Sequence, residues 1–199
     1  MMERYFISGT NTEVGKTVFS AWLAKRFMAE GKRVTYVKPV QTGFPADDDA
    51  AFVRTHTGLA PADARVIMTG TEPVAPCFLW ETFPFDAVAD TINAVSECDV
   101  LLVEGAGGLL VPLDMNRQMY EIARACDLRT ILVVPNRLGC INDALLSAHF
   151  LASKGLPLAG LAVNDHYASD ACNNERNKRM LDHLLPGSVA YVFGTLDTP

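Results

Sequence analysis

The hydrophobic residues of this chain form short apolar runs that alternate with segments of helical periodicity. The first run, residues 5–7, precedes a segment, residues 16–30, whose apolar residues recur at helical spacing. Further apolar runs predict strands at 33–37, 65–68, 99–103, 130–134, 158–163 and 188–193. Helices are predicted at 50–57, 85–97, 143–153 and 174–185. Strands that alternate with helices are typical of an α/β fold, a doubly wound and mostly parallel sheet with helices on both faces and right-handed crossovers.

The connection between the first predicted strand and the first helix is the segment GTNTEVGKT, residues 9–17. A strand, a Gly-rich turn and a helix in this order predict a phosphate-binding loop, because free N–H groups and the helix N-terminus attract anions. Lys16 adds a charge that can reach the β- and γ-phosphates, and the Thr17 hydroxyl is placed to bind Mg²⁺. The strict pattern has glycine where this chain has Thr10. A chance Gly-Lys-Thr triplet is the alternative, and the flanking elements together with Gly9 favour phosphate binding.

Two charged residues follow other predicted strands. Lys38 comes directly after the strand at 33–37, where α/β proteins bind ligands in the crevice at the carboxyl ends of strands. Glu104 follows the strand at 99–103, the position of a Mg²⁺-organising carboxylate in phosphate-loop enzymes. The glycines at 105–108 allow close approach of the backbone to a ligand. A solvated lysine and a simple loop are the alternatives; they leave the acidic residue beside a phosphate loop unexplained.

Three aspartates, Asp47, Asp48 and Asp49, precede the helix predicted at 50–57. Carboxylates at a helix N-terminus complement the helix dipole, which is the simpler interpretation. The sharper hypothesis is that one of them reaches the Mg²⁺ of a bound nucleotide, and the residues alone leave both open. Further along, Asn142 is predicted to be the N-cap of the helix at 143–153.

Length, charge and cysteine content bound the class of protein. The chain has 199 residues, which predicts one domain over residues 1–199, and its net charge of −6 argues against binding to nucleic acid or to an anionic membrane. No signal sequence and no apolar run long enough to span a bilayer is visible. The five cysteines are scattered without a C-x-x-C pair, as expected of reduced thiols. We therefore expect a cytoplasmic protein without a disulfide framework.

Four sequence blocks together resemble the dethiobiotin synthetase family. They are RYFISGTNTEVGKT, KPVQTG, LLVEGAGGLLVPL, and LGCIN with a later VND, spread over residues 4–165. The resemblance implies a P-loop NTPase-like domain and a homodimeric cyclo-ligase of biotin biosynthesis that uses ATP as co-substrate and Mg²⁺ as cofactor. Such an enzyme closes a cyclic urea on 7,8-diaminononanoate with CO₂ (from bicarbonate), through a carbamate and a carbamic–phosphoric anhydride.

The resemblance also implies roles for the residues at matching motif positions. The catalytic residues would be Lys16, Lys38 and Thr12. The ATP-binding residues would be Glu13, Val14, Gly15, Lys16, Thr17, Glu104, Gly107 and Asn164, the last reading the adenine edge. The metal ligands would be Thr17, Asp49 and Glu104. The substrate-binding residues would be Thr12, Lys38, Thr42, Gly139, Cys140 and Asn142, with the last three in a loop that serves the neighbouring subunit.

The sequence departs from the family pattern in three places. Asn11 replaces an aspartate, residues 83–85 replace a Ser-Pro-His element, and the Pro-rich segment that helps to hold the purine is absent after residue 193. The last departure predicts loose selectivity for the nucleotide base. The main rival class is a regulatory or partitioning ATPase, which usually has an extra lysine where this chain has Thr10 and Asn11. A pure nucleotide-binding module is the other rival, and it would leave the charged residues at two further strand ends without a purpose.

Overall fold

Parallel strands in one sheet form the centre of the fold in a computed structural model, which describes residues 2–168 and 170–196. The predicted domain of residues 1–199 therefore includes positions 1, 169 and 197–199, which lie outside the described residues. The strands are β1 Glu3–Gly9, β2 Val34–Gln41, β3 Ala64–Thr69, β4 Val100–Gly108, β5 Arg129–Pro135, β6 Leu158–Asn164 and β7 Val189–Phe193. The helices are α1 Lys16–Ala29, α2 Asp49–Thr57, α3 Phe85–Asn93, α4 Tyr120–Ala125, α5 Cys140–Ser153 and α6 Ala171–Leu184. Short 3₁₀ helices span Pro76–Phe78 and Asp165–Tyr167.

The strand order is β3-β2-β4-β1-β5-β6-β7, and all neighbouring pairs are parallel. This order confirms the predicted doubly wound α/β architecture. The first strand lies between β4 and β5, so the loop that follows it emerges beside the ends of these two strands, and β2 lies on the far side of β4. Ligands of such sheets bind where strand order changes direction, at the carboxyl ends of the strands. The topology therefore brings together the motifs from three distant parts of the sequence.

Apolar residues on the central strands pack on both faces of the sheet. Leu101 and Val103 of β4 join Phe6 in one core, whereas Leu102 joins Ile7 in the core on the opposite face. All five side chains are fully buried. Side chains of a strand alternate between faces, so a strand covered by helices on both sides must be apolar at every position. This requirement explains why the central strands appear in the sequence as continuous apolar runs.

Two strands extend further than their apolar runs predicted. Lys38 and Pro39 lie within β2 and not in the loop after it, and Glu104 lies in the middle of β4. The pairing of β2 with β4 ends at Val37 opposite Val103, so Pro39 lies beyond the last β2–β4 pair. The placement of these residues just past their strands was wrong, because hydropathy alone cannot show that two buried charges are each other's partners.

Helix boundaries differ from the prediction in several places. The fifth helix begins at Cys140 with Gly139 as N-cap at φ 94°, so Asn142 lies in the first turn and the prediction that it caps the helix was wrong. A left-handed glycine ends the preceding turn and starts the helix early. The third helix ends at Asn93, and α4 was not predicted. Among the described residues, no helix combines the length and the apolar character needed to cross a bilayer.

We expect Leu102→Ala to lower the free energy of unfolding by about 2–5 kcal/mol, because a large buried side chain leaves a cavity in the centre of the sheet. The matched control is Leu184→Ala at the end of α6, where the side chain is 44% exposed and the expected cost is under about 1 kcal/mol. Urea denaturation of both variants measures the difference. Equal losses would contradict the assignment of Leu102 to the core.

Candidate active site

The loop between β1 and α1 has the backbone geometry of an anion-binding turn. Gly15 is the N-cap of α1 at φ 94°, and Glu13 has φ 56°. A Cβ atom at Gly15 would lie 2.3 Å from Nδ2 of Asn164, so both the conformation and the available space require glycine there. Because Gly15 has no side chain to cap the helix, the N–H groups of its first turn remain for a ligand. The predicted phosphate-binding loop thus has the expected strand–turn–helix context.

Lys16 is a buried cation at the start of α1. The residue is only 7% exposed. Burial, and after it the nearby charge of Lys38, lowers the pKa of Lys16 to about 8. Within the described part of the chain, no carboxylate lies within 4 Å of its ammonium group. A desolvated ammonium group without a direct counterion favours the binding of an anionic ligand. This is the property that phosphate binding requires of the residue.

Glu104 is fully buried and accepts hydrogen bonds at both carboxylate oxygens. Its Oε1 accepts from Thr17 Oγ1 and from Lys38 Nζ, both at 2.9 Å. Its Oε2 accepts from Ser20 Oγ at 2.8 Å and from the Tyr36 hydroxyl at 3.0 Å. Four donors, two on each oxygen, hold this carboxylate in one orientation. The burial of this charge is therefore compensated by groups from α1 and β2.

Lys38 links Glu104 to Asp49. Its Nζ lies 2.5 Å from Asp49 Oδ2 and 2.9 Å from Glu104 Oε1. Burial opposes the charged form, but the two carboxylates outweigh it and raise the pKa of Lys38. Burial likewise opposes the charge of Asp49, whereas Lys38 and Thr17 lower the pKa of that carboxyl. Lys38 and Asp49 therefore form an ion pair in a cluster with little solvent.

The structure separates the roles of the three aspartates. Asp48 is the N-cap of α2 and accepts a hydrogen bond from the N–H of Ala51 at 2.9 Å. Asp49 reaches Lys38, and Asp47 is exposed. The helix-capping interpretation therefore applies to Asp48, and the contact of Asp49 with Mg²⁺ stays a prediction.

The predicted metal ligands Thr17, Asp49 and Glu104 converge on this cluster. They supply one hydroxyl and two carboxylates, which are the hard oxygen ligands that Mg²⁺ prefers. Among the described residues, no group of three or more His, Cys, Asp or Glu side chains could hold a metal by itself. Mg²⁺ is commonly bound by one or two carboxylates together with substrate phosphates, so this donor set fits a nucleotide-bound Mg²⁺.

A cleft of about 440 Å³ opens beside the phosphate loop. Its walls come from the loop, from the segment after β4 and from α5, with the lining residues Thr10, Asn11, Thr12, Gly108, Leu109, Leu110, Val111, Pro112, Leu146, Ser147 and Phe150. A Cβ atom at Gly107 would lie 3.3 Å from Thr12 Oγ1, so the glycine lets β4 and the loop approach each other. A separate cavity of about 320 Å³ is lined by residues 82–87 and by Asp114, Asn116 and Arg117. The chemistry favours the cleft that contains the phosphate loop.

Four other predicted site residues do not line the cleft, and a fifth, Asn164, contacts the phosphate loop. Thr42 follows β2, and Gly139, Cys140 and Asn142 lie at the start of α5 without lining the cleft within this chain. Asn164 is 2% exposed; its Nδ2 donates to the carbonyl of Val14 at 3.0 Å and its Oδ1 accepts from the N–H of His166. It thus ties β6 to the phosphate loop, and its reading of the adenine edge stays a prediction.

Sequence reasoning missed Tyr36 and Ser20, the two residues that bind the far oxygen of Glu104. A positional signal was present for each. Tyr36 lies two residues before Lys38 in β2 and therefore points to the same face of the sheet. Ser20 lies three residues after Thr17 in α1 and therefore on the same side of the helix.

The fold and the phosphate loop place the chain among phosphate-loop NTPase-type domains. The family model described as AAA domain matches residues 3–196. A putative plasmid partition protein from Borrelia burgdorferi B31 bound to AMPPNP superposes with TM-score 0.60 at 11% identity, covering 99% of this chain and 86% of that chain. The septum site-determining protein MinD of Pyrococcus horikoshii OT3, complexed with Mg-ADP, has TM-score 0.54 at 16% identity, covering 94% of this chain and 80% of that chain. At such identities the similarity shows the fold alone.

Curated relatives carry the identification further. A protein of Sulfurovum sp. (strain NBC37-1) is 36% identical over 168 residues, 78% of this chain and 79% of the relative. One of Haloferax mediterranei is 32% identical over 184 residues, 90% of this chain and 79% of the relative. One of Nitrosospira multiformis is 33% identical over 172 residues, 82% of this chain and 76% of the relative. All three are named ATP-dependent dethiobiotin synthetase BioD, and this chain belongs to the ATP-dependent dethiobiotin synthetase family.

The geometry predicts that Asp49→Asn weakens Mg²⁺-dependent nucleotide binding by about tenfold or more, because loss of a ligand or its support has this size of effect. Asp47→Asn is the matched control: it removes the same charge two residues away, from an exposed side chain. A Mg²⁺ titration of nucleotide affinity compares the two. Sensitivity at Asp47 with none at Asp49 would contradict the ligand assignment.

The lowered pKa of Lys16 predicts a distinctive dependence of stability on pH. Between pH 8 and 10.5 the unfolded chain holds more protons at Lys16 than the folded chain, so the free energy of unfolding should rise with pH in this window. The rise should be on the order of 3 kcal/mol and should be absent in Lys16→Met. Subtracting the variant's stability curve from that of the wild type isolates Lys16 from the other lysines. A flat or falling difference would show that Lys16 titrates normally.

Proposed function

We propose that this chain is an ATP- and Mg²⁺-dependent dethiobiotin synthetase that converts 7,8-diaminononanoate and CO₂ to dethiobiotin in biotin biosynthesis. The observation that carries the proposal is the cluster of two buried lysines around a buried glutamate beside the phosphate loop. Lys16 has no direct counterion among the described residues, and Lys38 contacts Glu104 and Asp49. Family membership supports the substrate class, and the cluster supports charge stabilisation as the main catalytic effect.

The first step joins one substrate amine to CO₂. The nitrogen forms a bond to carbon and loses a proton, and the product is a carbamate with a negative charge on its oxygens. We assign the neutralisation of that charge to Lys38, because the two carboxylates that raise its pKa keep it protonated. Thr12 lines the cleft beside the phosphate loop, where its hydroxyl is available to the reacting amine or carbamate.

The second step transfers the γ-phosphoryl group of ATP. A carbamate oxygen forms a bond to the γ-phosphorus, the bond to the bridging oxygen breaks, and ADP leaves. Lys16 and the N–H groups at the start of α1 would hold the transferring phosphates. Mg²⁺, held by Thr17, Asp49 and Glu104, would neutralise charge on the β- and γ-phosphates. The residues therefore supply cations around developing negative charge and little acid–base chemistry.

The third step closes the ring. The second amine attacks the anhydride carbon, the bond from carbon to the phosphate oxygen breaks, and the nitrogen loses a proton. Because both amines belong to one molecule, ring closure is intramolecular and needs positioning more than chemical activation. The apolar lining of the cleft, including Leu109, Val111 and Phe150, suits the methylenes of the substrate. Each buried methylene can add about 0.8 kcal/mol, which would favour a long-chain diamine.

Phosphate release distinguishes this proposal from a regulatory ATPase and from a nucleotide-binding module. We expect the purified protein to release phosphate from ATP only when 7,8-diaminononanoate and bicarbonate are both present, with formation of dethiobiotin. Lys16→Ala should lower turnover by on the order of 10³-fold, because a charge contact on the transferring phosphoryl group is lost. Phosphate release that does not depend on the diamine would support a nucleotide switch. Nucleotide binding without release of phosphate would support a binding module.

The active site is proposed to be shared between two subunits in a cytoplasmic homodimer. Leu138 is fully exposed, and Leu110 and Leu146 are 52% and 64% exposed. Leu146 and Leu110 also line the cleft, so a second copy that covered them would close it. Gly139, Cys140 and Asn142 start α5, whose N-terminus suits the substrate carboxylate of the neighbouring subunit. A two-fold axis would form two equivalent sites at once.

Subunit mixing tests the shared site. Lys16→Ala and Asn142→Glu chains are each expected to be inactive alone. In a mixed dimer, one site would carry both defects and the other would be intact, so random mixing should restore about a quarter of the wild-type activity. Wild-type chains mixed with themselves control for the exchange procedure. If exchange is verified and no activity returns, each site lies within one chain and the shared site is refuted.

A further inference from the structure

The two oxygens of Glu104 face different surroundings. Oε1 is bound by Thr17 and Lys38, which belong to the proposed phosphate and metal site. Oε2 is bound by the hydroxyl groups of Ser20 and Tyr36 at the back of that site. The proposed mechanism uses only Oε1 of Glu104. Tyr36, a buried polar residue, has no role in that mechanism.

Tyr36 donates its hydroxyl hydrogen to Oε2, whereas Ser20 shares its hydroxyl hydrogen between two acceptors. Ser20 has one hydroxyl hydrogen and two acceptors, the carbonyl of Lys16 at 2.9 Å and Glu104 Oε2 at 2.8 Å. The Tyr36 hydroxyl has Oε2 as its acceptor, and the residue is completely buried.

The position of Tyr36 in β2 makes this hydrogen bond rigid. Tyr36 and Lys38 lie two residues apart on one face of the strand, so the same strand supplies a donor to each oxygen of Glu104. The ring of Tyr36 belongs to the core that also contains Phe19 and Leu102, and its N–H donates to the carbonyl of Asp63 at 2.7 Å. A hydroxyl held on a packed ring in a central strand has little freedom to follow a rotating carboxylate.

We propose that Tyr36 is a positioning residue for the magnesium–nucleotide site: by holding Oε2, it fixes the rotation of the Glu104 carboxylate and presents Oε1 to Thr17, Lys38 and the metal. The inference rests on the Mg²⁺ and nucleotide part of the proposed function and is independent of the substrate amine. It differs from a purely structural role because it predicts a selective effect on the affinity that Mg²⁺ adds.

The test is Tyr36→Phe, which removes the hydroxyl and keeps the ring. Affinity for an ATP analogue with a non-hydrolysable β–γ bridge is measured by calorimetry, once with Mg²⁺ and once with EDTA. A hydrogen bond to a charged group alters an equilibrium by about one to two orders of magnitude. We expect the gain in affinity caused by Mg²⁺ to fall by about tenfold, while the affinity in EDTA is unchanged. Unchanged binding in EDTA also shows that the variant is folded.

Two further variants serve as controls. Tyr5→Phe removes a partly buried tyrosine hydroxyl that donates to Glu3 Oε2 at 2.7 Å, at the opposite end of the sheet, and should leave both affinities unchanged. Ser20→Ala removes the shared donor on Oε2 and should reduce the Mg²⁺-dependent gain by less than Tyr36→Phe does. A larger loss in Ser20→Ala would assign the positioning role to Ser20 and overturn the proposal.

The remaining outcomes are also decisive. An equal Mg²⁺-dependent gain in Tyr36→Phe and wild type would overturn the positioning role, as would equal losses with Mg²⁺ and with EDTA, which indicate general structural support. If the wild-type protein shows no Mg²⁺-dependent gain, the metal assignment itself fails and the role of Tyr36 fails with it. That result is distinguishable, because it appears before any variant is compared.

Discussion

The burial of the Glu104 charge is the constraint on which the rest of the site depends. An ionised carboxylate without solvent is strongly unfavourable unless cations and hydrogen-bond donors surround it. Here the donors come from α1 and β2, and the carboxylate itself comes from β4. Removal of one partner would leave a buried charge incompletely compensated, which costs more than the hydrogen bond itself contributes. The cluster therefore couples the phosphate loop, the second strand and the fourth strand.

The same cluster gives its two lysines opposite electrostatic characters. Lys38 is paired with Asp49 and Glu104, and its pKa is raised. Lys16 lies nearby without a direct counterion among the described residues, and its pKa is lowered to about 8. A polyanionic ligand at the start of α1 would relieve the unfavourable burial of Lys16 and restore its full charge. The two lysines and the two carboxylates carry no net formal charge, so it is the separation of Lys16 from a direct counterion that favours a phosphate at the start of α1.

The sequence predicted the architecture well because a sheet covered on both faces requires continuous apolar strands, such as 99–103. It also predicted that Lys16 and Thr17 begin the helix after the loop, because a local motif places them there, and their binding of phosphate and Mg²⁺ stays a prediction. It could not place Lys38 and Glu104 within their strands, since their burial depends on a partner far away in sequence. It could not separate Asp47, Asp48 and Asp49, because only the exact start of α2 decides which carboxylate caps the helix and which meets Lys38.

The N-cap predicted at Asn142 was wrong because a left-handed Gly139 begins α5 three residues earlier. Tyr36 was missed for a different reason: in sequence it is one more apolar residue of a buried strand, and only Glu104 gives its hydroxyl a function. Local chemistry was therefore predictable, whereas the cooperation of residues from different elements required the fold.

The central claim is that this site joins a carbamate oxygen to the γ-phosphorus. It is tested most directly by following oxygen from ¹⁸O-labelled CO₂ in unlabelled water, over a time shorter than oxygen exchange between CO₂ and water. The account predicts that each phosphate released during dethiobiotin formation carries one ¹⁸O atom from CO₂. Phosphate that takes its new oxygen from water would contradict the account, because ATP would then be hydrolysed without a carbamic–phosphoric anhydride.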